Sequence, residues 1–450
     1  MTTAQQHNDD YRLPATGYWA NAWKLSGLLG IIGLIGSGIT FATDPARYGY
    51  AYLFAWSVAL TIALGGMFLV LVIHVTQGHW GITTRRLAEV IMLGIIAVAV
   101  LAVPLFSGIA SGKFTMYDEW MHLPSHAEGA AHEHAAEGWT LGASVAHAQT
   151  LGEADIDYGH PEESPQAEQK HHETLQFKSG YLNQTGWLVR SVIYLAIWIL
   201  IAIAFFRWST RQDETGDPSL TVRMRSWSYI SMIAFSLALT WAAFDWLMAL
   251  EPAWFSTIFG VIVFAASAVA IFAVITLIGL SLVEHGHATK AITIEHFHDH
   301  AKLMFGFICF WTYVQFAQWL LIWYAGIPEE STWYQHRWTG GWQIVSYALI
   351  FGHFVLPFIL LMSRNQKRQL GWLKAMCIFV LVMHVIDMYW FVLPTYGSTP
   401  RLAPNLADVS ALLLVGGLFF SFVFYVLKRV NLVAVEDPRL ARSIHLHQSY

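Results

Sequence analysis

Ten apolar runs, each long enough to cross a bilayer, leave this chain few ways to fold. They cover roughly residues 22–42, 50–76, 86–110, 186–206, 226–249, 254–283, 302–325, 342–362, 371–394 and 408–427. In hydrocarbon every backbone N–H and C=O must be satisfied within its own segment, so runs of this length are expected to be helices. Composition agrees: 56% of the 450 residues are hydrophobic and only 12% charged, against about a quarter charged in a soluble protein. Mean hydropathy is +0.46. Many of the 21 Trp stand at the ends of apolar runs, where an amphipathic ring meets both phases. The expected fold class is therefore all-α and polytopic, with about ten transmembrane helices.

That division implies five regions: an N-terminal segment 1–21, spans one to three within 22–110, a loop 111–185, spans four to ten within 186–427, and a tail 428–450. Met1 to Tyr18 is polar and shows no cleavable signal peptide. With ten spans both termini share a side, and that side carries 18 of the 25 Lys and Arg, leaving 7 opposite. The positive-inside rule then places the termini in the cytoplasm. Spans five and six are joined near Glu251-Pro252, which predicts a tight hairpin. The run 254–283 is long enough to require tilt or protrusion.

The loop 111–185 falls outside, with twelve Asp or Glu, three Lys and eight His. Its middle, His126 to Glu173, reads as Ala/Glu/His-rich low complexity. His-rich tracts can chelate metals, which makes His132, His134, His171 and His172 candidates, but their spacing matches no closed site. No metal site is expected, and a solvated flap that packs on a partner is the plainer reading. Cys309 and Cys377 lie inside apolar runs and form no C-x-x-C or C-x-x-C-H pattern, so the chain has no cysteine set for a cluster or a covalent haem. The net charge of −5 and the lack of a basic tail argue against nucleic acid as a partner.

Ionisable groups inside spans are costly and therefore informative. His74 and Glu89 lie near the inner face, flanking the Arg85-Arg86 turn. Arg190 and Asp245 lie nearer the outer face, with Glu251 just beyond. Arg190 reads as an interface anchor, and Asp245 as either a snorkelling carboxylate or a functional one. His353, His384 and Asp387 are expected near mid-depth. His384 and Asp387 are spaced i, i+3 and so share a helix face; an imidazole beside a carboxyl suits proton relay or contact with a hydroxyl, and equally suits interhelical glue. His353 and His384, on antiparallel spans at similar depth, also raise the possibility of a haem axial pair. Gln315 and Gln318 add polar groups to span seven.

Several of these runs resemble a known family. Phe244 to Gly260 (FDWLMALEPAWFSTIFG) is similar to a signature stretch of the ActF subunits of alternative complex III, bacterial quinol:electron-acceptor oxidoreductases. So are Lys302 to Phe305 through Gln318, Leu321 to Glu330, His74 to Glu89, and Asp387-Met388-Tyr389-Trp390 before Pro394. The resemblance covers about residues 45–430 and omits the His-rich loop and both termini. It implies an NrfD-like membrane subunit of two four-helix bundles plus flanking helices, in the inner membrane of a bacterium. Its implied partners are a second NrfD-like subunit of the ActC type, an iron–sulfur subunit and c-type cytochrome subunits. Menaquinol or ubiquinol would be oxidised near the outer face, with electrons leaving through the partners' cofactors. Proton half-channels in the family would carry over to Asp245, His384 and Asp387. Together with burial, the matching runs make Asp245, Glu251, His384, Asp387, Tyr389, Gln315, Gln318, His353, His74 and Glu89 the candidate set for a proton pathway or quinol contact. The alternatives left by the residues are a secondary transporter, which would also bury ionisable groups, and a structural scaffold subunit.

Overall fold

A computed structural model describes residues 11–121, 165–397 and 400–446. Ten helices in it are long and apolar enough to cross a membrane: Tyr18–Thr43, Pro45–Thr76, Ile82–Ala110, Gln184–Thr215, Ser219–Leu250, Phe259–Glu284, Ile294–Ala325, Trp342–Met362, Leu370–Thr395 and Leu406–Leu427. They are called spans one to ten below. No strand occurs among the described residues. The protein is an all-α polytopic membrane protein.

Local chemistry sets the ends of the spans. Asp44 caps span two, its carboxylate accepting from the Arg47 N–H at 2.9 Å, with Pro45 in the first turn; its missing N–H costs nothing there. Thr293 and His296 form a capping box that starts span seven. Asn405 and Asp408 do the same for span ten. Gly326, at φ 62°, ends span seven in the left-handed conformation that glycine adopts without penalty.

The sequence placed several starts too late. Span seven begins at Ile294 rather than near 302, because its first two turns, Glu295 to His300, are polar yet fully helical and pack inside the protein. The connection between spans five and six is longer than the expected tight hairpin. Pro252 lacks an N–H to donate, and residues 251–258 leave the helix, with the Ser256 N–H donating to Met248 Sδ at 3.3 Å and its hydroxyl to Gln318 at 2.8 Å. Span six is therefore 26 residues from Phe259, and the apolar residues 254–258 belong to that connection.

Spans two to five close into one ring of neighbours, two on three, three on four, four on five and five on two. Spans six to nine close into a second ring in the same order. Spans two and six, the first of each bundle, are both 83% buried and pack on one another. At their crossing a Cβ on Gly65 would overlap the Ser267 carbonyl oxygen. Spans one and ten pair outside this core and lean on span two. Gly27, Gly30, Gly33 and Gly36 recur every third residue on span one, and a side chain at Gly33 would run into the Leu414 backbone. Small residues at such a seam let two helix backbones approach closely.

Asp118–Asn183 form a separate compact unit. Its described part contains the helices Asp118–Met121 and Pro165–Lys178. His171 is paired with Glu119 at 2.5 Å. His132 and His134 lie outside the described residues, as does the side chain of His172.

The tail after Leu427 folds back on the bundle. Leu432, Val433 and Ala434 are buried, the Leu432 N–H donates to the Tyr11 carbonyl at 2.8 Å, and Arg12 Nε donates to Asn431 at 3.1 Å. The first described residues of the chain thus meet its tail on one side of the protein.

Candidate functional site

Charge in the membrane domain is held in compensated sets, and the candidates sort by whether they belong to one. On the side of the termini, Arg85 and Arg86 share Glu89 at 2.8 and 2.9 Å. Arg86 also reaches Asp213 at 2.5 Å. Arg85 bonds Asp437 of the tail, which Arg439 holds from the other side at 2.9 Å. Three guanidinium groups therefore face three carboxylates, which makes burial of the set tolerable. Burial pushes the Asp437 carboxyl up, but Arg85 and Arg439 outweigh it and hold it well below the usual carboxylate range. His74 is fully buried in the same layer with its ring against Phe205 at 5.7 Å, and neither ring nitrogen has a hydrogen-bond partner.

On the opposite side there are three pairs. Arg190 grips Asp245 through two hydrogen bonds of 2.8 and 3.0 Å, and the Tyr194 hydroxyl adds a third at 2.8 Å. The anchor expected at Arg190 is thus a carboxylate clamp, and Asp245 is not snorkelling. Arg337 reaches Glu251 at 2.7 Å, stacks over Trp333 at 3.6 Å, and donates to the carbonyls of Trp333, Trp390 and Phe391. Burial pushes the Glu251 carboxyl up, while Arg337 and His336 bring it below its ordinary value. Arg47 reaches Asp408 at 2.6 Å, and Tyr389 donates to the same carboxylate at 3.3 Å. Tyr389 therefore belongs to the seam with span ten, although it is two residues from Asp387.

Mid-depth in the second bundle is different. Asp387, fully buried on span nine, accepts from the Trp311 indole of span seven at 3.1 Å through Oδ2. Its Oδ1 has no partner, and no cation pairs with Asp387 among the described residues. The Trp311 ring stacks at 4.2 Å on His353 of span eight, whose ring lies near the Met383 backbone carbonyl but makes no well-aligned hydrogen bond through either nitrogen. One turn before Asp387, His384 Nε2 meets the Thr61 hydroxyl of span two at 2.9 Å, and its Nδ1 is open. His353 sits in π-helical turns, Leu349–Val355. Such bulges recur at functional sites because they re-aim a side chain at the expense of regular hydrogen bonding. Four buried polar atoms on three side chains thus lack well-aligned partners within one cluster. Burial of polar groups normally demands such partners, and a small polar guest would supply them. With Nε2 engaged by Thr61, His384 offers a haem iron only Nδ1.

Gln318 accepts from Ser256 and donates to the Tyr334 hydroxyl at 3.1 Å, tying the span five–six connection to span seven. Gln315 is half-buried and lies outside that network.

Two features escaped the sequence reading. His300, in the early turns of span seven, is fully buried, with Nε2 3.1 Å from the Thr84 hydroxyl and Nδ1 3.5 Å from that of Thr276; it was placed in a loop because span seven seemed to begin later. The second is an internal correspondence between the bundles. Trp187 and Ser191 on span four are spaced as Trp342 and Ser346 are on span eight. Trp246 of span five donates to Ser191 at 2.9 Å, and Trp390 of span nine donates to Ser346 at 2.9 Å. The only sequence signal is Trp-x-x-x-Ser, too short to detect unaided.

Counted along the chain from those pairs, His353 corresponds to Trp198, each seven residues past its serine, and Asp387 to Ala243, each three before its tryptophan. Trp198 and Ala243 line a cavity of about 10 Å³ that also touches Thr61, space on the order of one water.

Compared with known proteins, the chain matches no family model and no curated sequence. The fold and the site define a polytopic helical membrane protein of two like-ordered four-helix bundles, one of which buries a carboxyl group without a cation in a cluster with two histidines.

Proposed function

We propose that the chain is the ActF-like membrane subunit of a bacterial quinol:electron-acceptor oxidoreductase, and that its second bundle handles protons or contacts the quinol at His353, His384 and Asp387. One observation carries this reading: Asp387 is buried in a span without a cation while the neighbouring buried carboxylates Asp245, Glu251 and Asp408 each have an arginine. An unpaired carboxylate in such a place costs far more than a neutral carboxylic acid, so the group suits exchange of a proton with its surroundings. The two histidines present ring nitrogens that can take or pass that proton.

In this reading the polar groups stand at three depths: His74, then His300 with Thr84 and Thr276, then the Asp387 cluster. Thr61 and His74 are thirteen residues apart on span two, about 20 Å along a helix, so water would have to join the layers. Asp245, Glu251 and Tyr389, held in ion-paired sets, serve to fix the bundles rather than to move protons. The subunit would lie in the inner membrane with its termini cytoplasmic, beside ActC-type, iron–sulfur and c-type cytochrome subunits, with menaquinol or ubiquinol as the reductant.

Asp387→Asn in the assembled complex tests this. Quinol turnover and proton release should fall while cytochrome and iron–sulfur partners still co-purify. Unchanged turnover and proton release in an assembled variant would remove the role. Purification of the native chain without redox partners would favour a transporter.

A further inference from the structure

Thr61 of span two and His384 of span nine form a buried polar contact between the two bundles, and its hydrogens can be assigned. A threonine hydroxyl has one hydrogen to give. The Thr61 oxygen lies 2.8 Å from the Ser57 carbonyl and 3.0 Å from the Val58 carbonyl of its own helix, and 2.9 Å from His384 Nε2. Inside a helix such a hydroxyl turns its hydrogen back to a carbonyl of the preceding turn, which leaves lone pairs for Nε2. Nε2 then carries a hydrogen and donates it. The reverse arrangement, with Thr61 donating to a bare Nε2, would put the ring hydrogen on Nδ1, which is buried without a hydrogen-bond partner. An orphaned buried N–H is rarer in folded proteins than an under-used acceptor. Both considerations select the same tautomer.

We infer that Thr61 is a positioning residue for the buried cluster: its hydroxyl holds His384 with the hydrogen on Nε2 and keeps Nδ1 as the nitrogen that takes up a proton. The hydrogen bond made by one nitrogen of a histidine decides the state of the other. One turn along span nine stands the complementary group. Asp387 Oδ2 already accepts from the Trp311 indole at 3.1 Å and Oδ1 has no partner, so the neutral acid carries its hydrogen on Oδ1. The pair thus offers one donor and one acceptor on a single helix face. A water or a hydroxyl group, which accepts and donates, matches both; a carbonyl oxygen, which only accepts, matches Asp387 alone. Without Thr61 the ring is free to exchange tautomers and to present an N–H where the cluster needs a lone pair. The consequence for turnover rests on the role proposed above for the cluster; the tautomer does not.

Nitrogen-15 NMR of the full-length, histidine-labelled protein in lipid nanodiscs tests this, because protonated and bare imidazole nitrogens differ widely in chemical shift. The His384 signals, identified by their loss in His384→Gln, should show hydrogen on Nε2 and none on Nδ1. Thr61→Val removes the hydroxyl at nearly constant shape and should turn the single tautomer into a mixture. Thr61→Ser should preserve it, with thermal unfolding verifying that each variant is folded. In the assembled complex Thr61→Val should lower quinol turnover on the order of tenfold, less than loss of an acid–base group itself, and Thr61→Ser should restore most of it. Hydrogen on Nδ1 in the unmodified protein, or an unchanged His384 spectrum in folded Thr61→Val, would overturn the inference. A changed tautomer with unchanged turnover would uphold the hold of Thr61 on His384 and count instead against the role of the cluster in turnover.

Discussion

The two bundles share helix order and a Trp-to-Ser hydrogen bond, yet they treat buried carboxyl groups in opposite ways. In the first, Asp245 lies one residue before Trp246, and Arg190 and Tyr194 occupy both of its oxygens. In the second, the carboxyl has moved to Asp387, three residues before Trp390, and has only an indole for company. At the positions that correspond in sequence offset the first bundle has Trp198, Ala243 and a small cavity, where the second has His353 and Asp387. A carboxylate with a full set of donors is a rigid structural element. One with an open oxygen beside open imidazole nitrogens is an element whose protonation can change without unmaking the fold.

Four measurements would sharpen or break this contrast. Arg190→Met should have the largest effect, because it strands the Asp245 carboxylate. A cost of about 3 kcal/mol is expected, toward the low end for broken buried pairs since Arg190 is 21% exposed; thermal unfolding in detergent would register it, and Arg190→Met with Asp245→Asn should recover part of the loss. Asp387→Asn should do the reverse, leaving unfolding nearly unchanged while lowering quinol turnover on the order of a hundredfold, the scale of a lost acid–base group. A large stability loss without a turnover loss would make Asp387 structural, like Asp245. Trp246→Phe and Trp390→Phe each delete one buried hydrogen bond and should cost about 1–2 kcal/mol apiece. Unequal costs would show that the correspondence between the bundles is only geometric. The smallest effect concerns pH. Glu251 is held below its ordinary value of 4.5, so its contribution is present above that pH and lost as pH falls through the lowered value in the folded protein. The unmodified protein should therefore lose melting temperature in that acid range, and Glu251→Gln should flatten that part of the profile.

How legible this was in the sequence depended on the range of the interaction. The ten apolar runs, the i, i+3 placement of His384 and Asp387, and the polar pair Gln315 and Gln318 are local patterns, visible one helix at a time. His300 was missed because the start of span seven depends on Thr293 and His296 capping one another and on polar first turns packed inside the protein. Arg190 was misread because its partner lies on the next span. Asp437 is unremarkable in an apparent polar tail until Arg85 and Arg439 are seen around it. Tyr389 seemed to belong with Asp387 because it is close in sequence, but at two residues' spacing it faces Asp408 on span ten instead.

The sequence by itself determined that this is a polytopic helical membrane protein, because a chain in hydrocarbon has no alternative way to satisfy its backbone over ten long apolar runs. It also placed Asp245, His353, His384 and Asp387 inside the spans, although not His300 or Asp437. The tertiary structure alone decided which of them are neutralised and which are left open, since that depends on whether a neighbouring span brings an arginine or a tryptophan to the same depth. That difference, between Asp245 and Asp387, separates the bundle that holds the protein together from the one where its chemistry is proposed to reside.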